Sequence, residues 1–158
     1  MNKVFKEMRR KERALTEEET LAILRKGEYG VLSTVDDDGY PYGVPISYVY
    51  CDNRIWFHGA KEGHKVSNIE LSNKASFCVV GNTKLLPDKF STIYESAIAF
   101  GNIHKCTDDE KMKALTLIVE KYSSDYKEKG LKYAESSLDK VGSYYLEIEH
   151  ITGKARKK

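Results

Sequence analysis

Little in this chain could brace it from outside. The three cysteines, at 51, 78 and 106, are odd in number and include no Cys-x-x-Cys pair. That excludes a disulfide framework and fits reduced thiols in a cytoplasmic protein. Prolines number three, and no Pro/Gly/Ser-rich tract or internal repeat divides the sequence, so residues 1–158 read as one domain. No stretch is long and apolar enough to span a bilayer, and the charged N-terminus lacks the apolar core of a signal peptide. Neither charge sign dominates: 26 basic side chains face 24 acidic ones, a net +2, too little to imply a nucleic-acid partner. Basic residues do gather at the ends (Arg9, Arg10, Lys11, Arg13; Lys154, Arg156, Lys157, Lys158), where they read as solvated tails. Several catalytic signatures are also missing. There is no Gly-x-Ser-x-Gly elbow, no Walker loop and no Gly-x-Gly-x-x-Gly fingerprint. His58, His64, His104 and His150 lack the spacing and the cysteine partners of a zinc centre, so no metal is expected.

What remains is an ordinary globular composition, 41% apolar and 32% charged, with clear local signals. Thr16 with Glu19 forms a capping box opening a short helix that Gly27 stops. Val31 to Val35 reads as a strand, and Asp36-Asp37-Asp38-Gly39 as a hairpin turn whose glycine supplies positive φ. A partner strand is predicted from Tyr42 to Tyr50, disturbed by Pro41 and Pro45. After a turn at 51–54 comes a third strand, Ile55 to His58, so the three suggest an antiparallel meander. A helix from about Gly63 to Ser72 follows. Strands are then predicted over 75–80 and 94–104. A second capping box at Thr107 and Glu110 opens an amphipathic helix carrying Met112, Leu115, Ile118, Val119 and Tyr122. A polar helix over 130–139 and a strand over 144–151 close the chain. The fold class expected is mainly β (α+β), a small antiparallel barrel with peripheral helices.

Two stretches carry chemistry. After Phe57 a strand runs into a turn bracketed by Gly59 and Gly63, and a helix starts at once. A phosphate needs several donors together; a helix N-terminus offers free N–H groups and partial positive charge, and Lys61, His64 and Lys65 add cations. An exposed β–α turn kept soluble by lysines fits the same spacing. The second stretch is Tyr40 to Tyr48. Its prolines free main-chain groups from sheet pairing and Ser47 adds a hydroxyl, so a flat heteroaromatic ring could lie along it; by spacing alone, an edge strand twisted by prolines is the better fit. The eleven tyrosines read as core and interface filler.

Taken in order, several segments resemble the FMN-binding split barrels of the pyridoxamine-phosphate-oxidase type, in the branch similar to nitroimidazole-resistance reductases. They are Met8 to Lys11, Gly30 to Thr34, Asp38 to Pro45, Phe57 to Lys65 with Asn68-Ile69, Tyr94 to Gly101, and Ile148 to Arg156. The resemblance implies a homodimer holding FMN at the subunit interface. Val44, Pro45, Ile46 and Ser47 would border the isoalloxazine edge. His58, Gly59, Ala60 and Lys61 would lie along ring and ribityl chain, and His64 and Lys65, after Gly63, would meet the phosphate. Tyr94 and Glu95 would reach the pocket of the other subunit. Pyridoxine-phosphate oxidases resemble a pattern with arginine near position 44 and Arg-Lys at the phosphate turn. Val44 and His64-Lys65 stand there instead, which argues against that activity.

The function implied is an FMN-dependent oxidoreductase that takes electrons from NAD(P)H or another reduced donor and reduces a small organic acceptor. His58 is the candidate proton donor, a catalytic role, and Lys61 the candidate cation beside the N1/C2-oxygen edge. The alternatives are a non-catalytic flavin-binding or redox-sensing module, or a split barrel holding deazaflavin or haem.

Overall fold

The structure, a computed structural model, describes residues 5–158. Its helices are α1 (Glu17–Lys26), α2 (His64–Leu71), α3 (Asp108–Tyr122) and α4 (Lys127–Ser137). Its strands are β1 (Gly30–Val35), β2 (Pro41–Ile46), β3 (Val49–Cys51), β4 (Arg54–Ala60), β5 (Lys74–Leu86), β6 (Ser91–Lys105) and β7 (Val141–Arg156). Both capping boxes form as the spacing requires: Thr16 and Glu19, and Thr107 and Glu110, exchange side-chain and main-chain hydrogen bonds. Gly39 takes φ 85° in the turn between β1 and β2, a conformation open to glycine because it has no Cβ.

The seven strands form one antiparallel sheet ordered β2-β1-β5-β6-β7-β4-β3. Its two outermost members, β2 and β3, are separated in the chain only by Ser47 and Tyr48. Two residues span less than about 10 Å, so the sheet's ends must come together. The sheet therefore curls into a barrel that is left split where the ends meet. The barrel interior is filled by Leu32, Ile55, Phe57, Phe77, Val79, Ala99 and Leu146, with Leu24 of α1 among them. A second cluster, Trp56, Ala114 and Tyr145, lies under α3. Strand β4 is thus buried on both faces, which accounts for its unbroken Ile55-Trp56-Phe57 run.

Three expectations are corrected. The strand predicted over 42–50 is two strands, interrupted at Ser47 and Tyr48, because Tyr48 turns into the core and its main chain bonds to α3 instead of a neighbouring strand. The meander does not form: among the described residues β2 pairs with β1 alone, and β4 pairs with β3 and β7. The basic ends are not free tails, since Ala14 bridges Lys154 and Lys157 pairs with Glu19. Strands β5 to β7 also run well past their predicted ends. Cross-strand pairing carries them through polar residues that show no alternation in sequence.

Candidate functional site

The split exposes two rows of main-chain groups. Strand β3 pairs with β4 through Cys51↔Arg54, Tyr50↔Ile55 and Val49↔Trp56, and no further. Continued, that register would set Ser47 opposite His58 and Pro45 opposite Ala60. The ladder stops, leaving β4 from Phe57 to Ala60 and β2 from Val44 to Ile46 each bonded on one side only among the described residues. Thus the structure brings 44–47 and 58–61, far apart in sequence, to the two lips of one seam. Val44 and Ile46 point into the core, whereas Pro45, Ser47, Ala60 and Lys61 are exposed.

What keeps the lips apart is the end of α3. Tyr122 Oη accepts from the Tyr48 N–H at 3.0 Å and lies 2.5 Å from the Glu28 carbonyl oxygen, to which it donates. Lys121 Nζ donates to the carbonyls of Gly27 at 2.6 Å and Tyr48 at 2.8 Å, and sits 3.9 Å over the Tyr48 ring. Burial pulls the Lys121 ammonium down to about 8, with Glu28 opposing. The main chain of the crossover is therefore satisfied from α3, and β2 has no need to zip onto β4. Sequence reading placed Tyr122 on the apolar face of the helix and missed this polar use of it.

At the lower end of the seam the chain turns through 61–63 into α2. Gly63 caps the helix at φ 139°, a conformation that side chains with a Cβ resist. The first N–H groups of α2 have no partner within the helix. Gly59 opens space for Lys65: a Cβ there would lie 2.8 Å from Lys65 Nζ. Lys65 is half-buried, burial lowers its pKa, and no carboxylate pairs with it among the described residues. Asn68, buried, donates to Thr34 Oγ1 at 3.1 Å and so ties α2 to β1.

Among the described residues, two buried polar atoms lack a hydrogen-bond partner, His58 Nδ1 and Ser143 Oγ. They belong to directly opposed residues of β4 and β7. Burial first, and then the charge of Lys65, lowers the His58 pKa from its ordinary 6.5, favouring the neutral imidazole. Ser143 is 2% exposed and no sequence signal marked it; only the β4–β7 register reveals it. Uncompensated buried polar groups are costly. These two atoms, with the charge of Lys65 near His58 and the free start of α2, leave polar groups unmet at this end of β4. Lys65 and the first N–H groups of α2 suit a phosphate group.

The remaining predicted residues sit otherwise. The His64 ring stacks on Tyr42, with centroids 4.0 Å apart, and its Nε2 lies 3.8 Å from Asp36 Oδ2, so its main-chain N–H is what faces the turn as part of the helix start. Lys61 and Gly63 are exposed. Glu95 accepts from the Asn82 N–H at the irregularity of β5. Tyr94 pairs across β6–β7 with Arg156, whereas His58 faces Ser143. Thirteen residues of β7 separate those points, roughly 40 Å of extended strand. Within one protomer, Tyr94 and Glu95 are not brought to the seam.

Comparison with known proteins bears on this geometry. The sequence model of the pyridoxamine 5'-phosphate oxidase family matches residues 16–155. No curated protein sequence matches. Among solved structures, a proposed 5-nitroimidazole antibiotic resistance protein from Bacteroides thetaiotaomicron is 21% identical with TM-score 0.73, covering 90% of this chain and 86% of that one. An FAD-binding protein from Mesorhizobium loti is 20% identical with TM-score 0.65, covering 92% and 98%. An FAD and heme binding protein from Mycobacterium smegmatis is 18% identical with TM-score 0.76, covering 90% and 72%. At such identities the likeness speaks for the shared fold.

Proposed function

The chain belongs to the pyridoxamine 5'-phosphate oxidase family, and on that premise we propose that it is an FMN-dependent oxidoreductase acting on a small organic acceptor. The observation that carries the reading is the seam itself. Two strand edges left unpaired, two buried polar atoms without a partner among the described residues and a lysine without a carboxylate lie along β4 and its turn into α2. The flavin-binding relatives support the cofactor class, and the single phosphate corner at 61–65 favours the mononucleotide.

FMN supplies the redox chemistry when bound. The chain's own residues bind, orient and exclude water. Lys65 and the N–H groups of α2 hold the phosphate. The main chain of 44–46, with Ser47, fixes one edge of the ring, and His58 with Ser143 hydrogen-bonds from the opposite lip. His58, with its neutral imidazole favoured by burial, would present one N–H as a hydrogen-bond donor rather than as a proton to transfer. Lys61 supplies positive charge from the exposed rim.

We further read the assembly as a homodimer. One lip of the seam is open to solvent, and only a second copy could bring Tyr94 and Glu95 to it. The tip of the β5–β6 hairpin, residues 84–92, has no flanking strand and exposes Leu85 and Phe90. Such apolar exposure on an unsupported ribbon favours burial against a partner.

The test is spectroscopic. Purified protein given FMN should show flavin bands at one cofactor per protomer, diminished in Lys65→Ala, and should consume NAD(P)H only when a nitroaromatic is added. A Soret band, or a colourless protein indifferent to FMN, would overturn the reading. Flavin uptake without turnover would leave a binding module.

A further inference from the structure

Where Ser47 leaves β2, the surface opens into a cavity of about 650 Å³ between the end of α1, the crossover and the end of α3. That volume suits a ligand of roughly drug size. Arg25 and Lys26 enter it from the last turn of α1 and Lys121 from α3, against the single carboxylate of Glu28. Basic residues at a helix C-terminus are common, because they offset its dipole. Lys121 is different, since it comes from another helix and two of its three N–H donors are already committed to carbonyls. It fixes positive charge in the floor without needing a ligand for its hydrogen bonds. The most exposed cationic donors belong to Arg25 and Lys26, neither of which pairs with a carboxylate among the described residues. The Arg25 guanidinium is held 5.3 Å over the Tyr50 ring. Tyr29, 62% exposed, adds an aromatic face to the rim. Cations beside a free aromatic face suit a phosphate chain joined to a heteroaromatic base.

Position decides which molecule this is. The phosphate corner at 61–65 lies at one end of the seam and Ser47 at the other. A flavin phosphate at that corner would lie at the far end of the seam from Ser47 and the cavity beside it. The cavity therefore serves a second ligand, one whose reacting ring must reach the seam past Ser47. Resting on the flavin reading above, we propose that this cavity receives the phosphate-bearing ADP half of a nicotinamide dinucleotide donor.

The decisive measurement is calorimetric titration of ADP, and separately of NADP⁺, into FMN-treated and untreated protein. Saturable ADP binding is expected, weakened tenfold or more by Arg25→Glu combined with Lys26→Glu, with flavin content per protomer unchanged. The milder pair Arg25→Gln and Lys26→Gln, which leaves the helix end uncharged, should shift affinity the same way by several-fold and guards against misfolding. Absent ADP binding, or binding indifferent to both variants, overturns the proposal. So does a fall in FAD uptake with no change in ADP or NADP⁺ affinity, which would give the cavity to the cofactor's own adenylate. Failure to take up any flavin would instead count against the seam assignment, and the titration of untreated protein would still decide the cavity.

Discussion

The wall made by β5, β6 and β7 and the seam between β2 and β4 are built from similar strands and treated in opposite ways. Along the wall, Tyr94 to Lys105 find partners on β7 with one irregularity beside Phe100 and Gly101, and the residues between them fill the core. Along the seam, the ladder ends at Trp56 and the next residues keep open edges, two orphaned polar atoms and an unpaired cation. Stability is concentrated where hydrogen bonds are complete. Binding capacity is concentrated where they are not.

Substitutions should separate the two regions. The largest effect on stability is expected from Leu146→Ala in the wall, whose side chain is fully buried. Removing it should cost about 2–5 kcal/mol and lower Tm by on the order of 10 °C, while FMN affinity of the folded fraction changes by less than about twofold. Calorimetry alongside flavin titration checks both halves. If affinity fell with stability, wall and seam would not be separable.

Lys65→Ala should reverse that pattern. Losing a charge-assisted contact weakens FMN binding by about 10- to 100-fold. Tm of the flavin-free protein should hold or rise, because a half-buried unpaired ammonium is gone. Gly59→Ala should follow it more weakly, since the new methyl displaces only the flexible end of Lys65.

Ser143→Ala should be gentler still. It removes a hydroxyl that is unsatisfied without ligand, so flavin-free stability should rise by up to about 1 kcal/mol, and FMN affinity should fall roughly three- to tenfold. A drop in flavin-free Tm would show that the hydroxyl has a protein partner after all.

The smallest effect is in pH dependence. Burial and Lys65 keep the folded His58 pKa below 6.5, so the unfolded chain takes up that proton first as pH falls. The associated stability is therefore fully present above about 6.5 and is lost as pH drops toward the lowered folded value. His58→Gln should flatten the Tm profile in that window, and an unchanged slope would deny the shift.

Legibility from sequence followed the range of the interactions. The capping boxes, the Asp36–Gly39 turn and the start of α2 were readable because each is decided within four residues. Strand pairing was not. The run 42–50 has a continuous β composition, and the break at Ser47 depends on Lys121 and Tyr122, more than seventy residues away. The candidate site divides the same way. Gly59, Gly63 and Lys65 announced a phosphate turn, and the family resemblance added 44–47 and His58. Ser143 and the Lys121–Tyr122 clamp carried no signal, since a serine in a strand and a lysine in a helix are ordinary until their neighbours are known.

By itself, then, the sequence determined the local elements, the anion-ready turn and the family pattern, because these depend on residue types at short fixed spacings. Tertiary structure decided that β2 and β3 lie at opposite ends of one sheet, that its closure stays incomplete, and which polar atoms are left unmet along the gap. The physical reason is that a backbone hydrogen bond is specified by pairing register, and register between distant strands is settled only when the whole barrel packs.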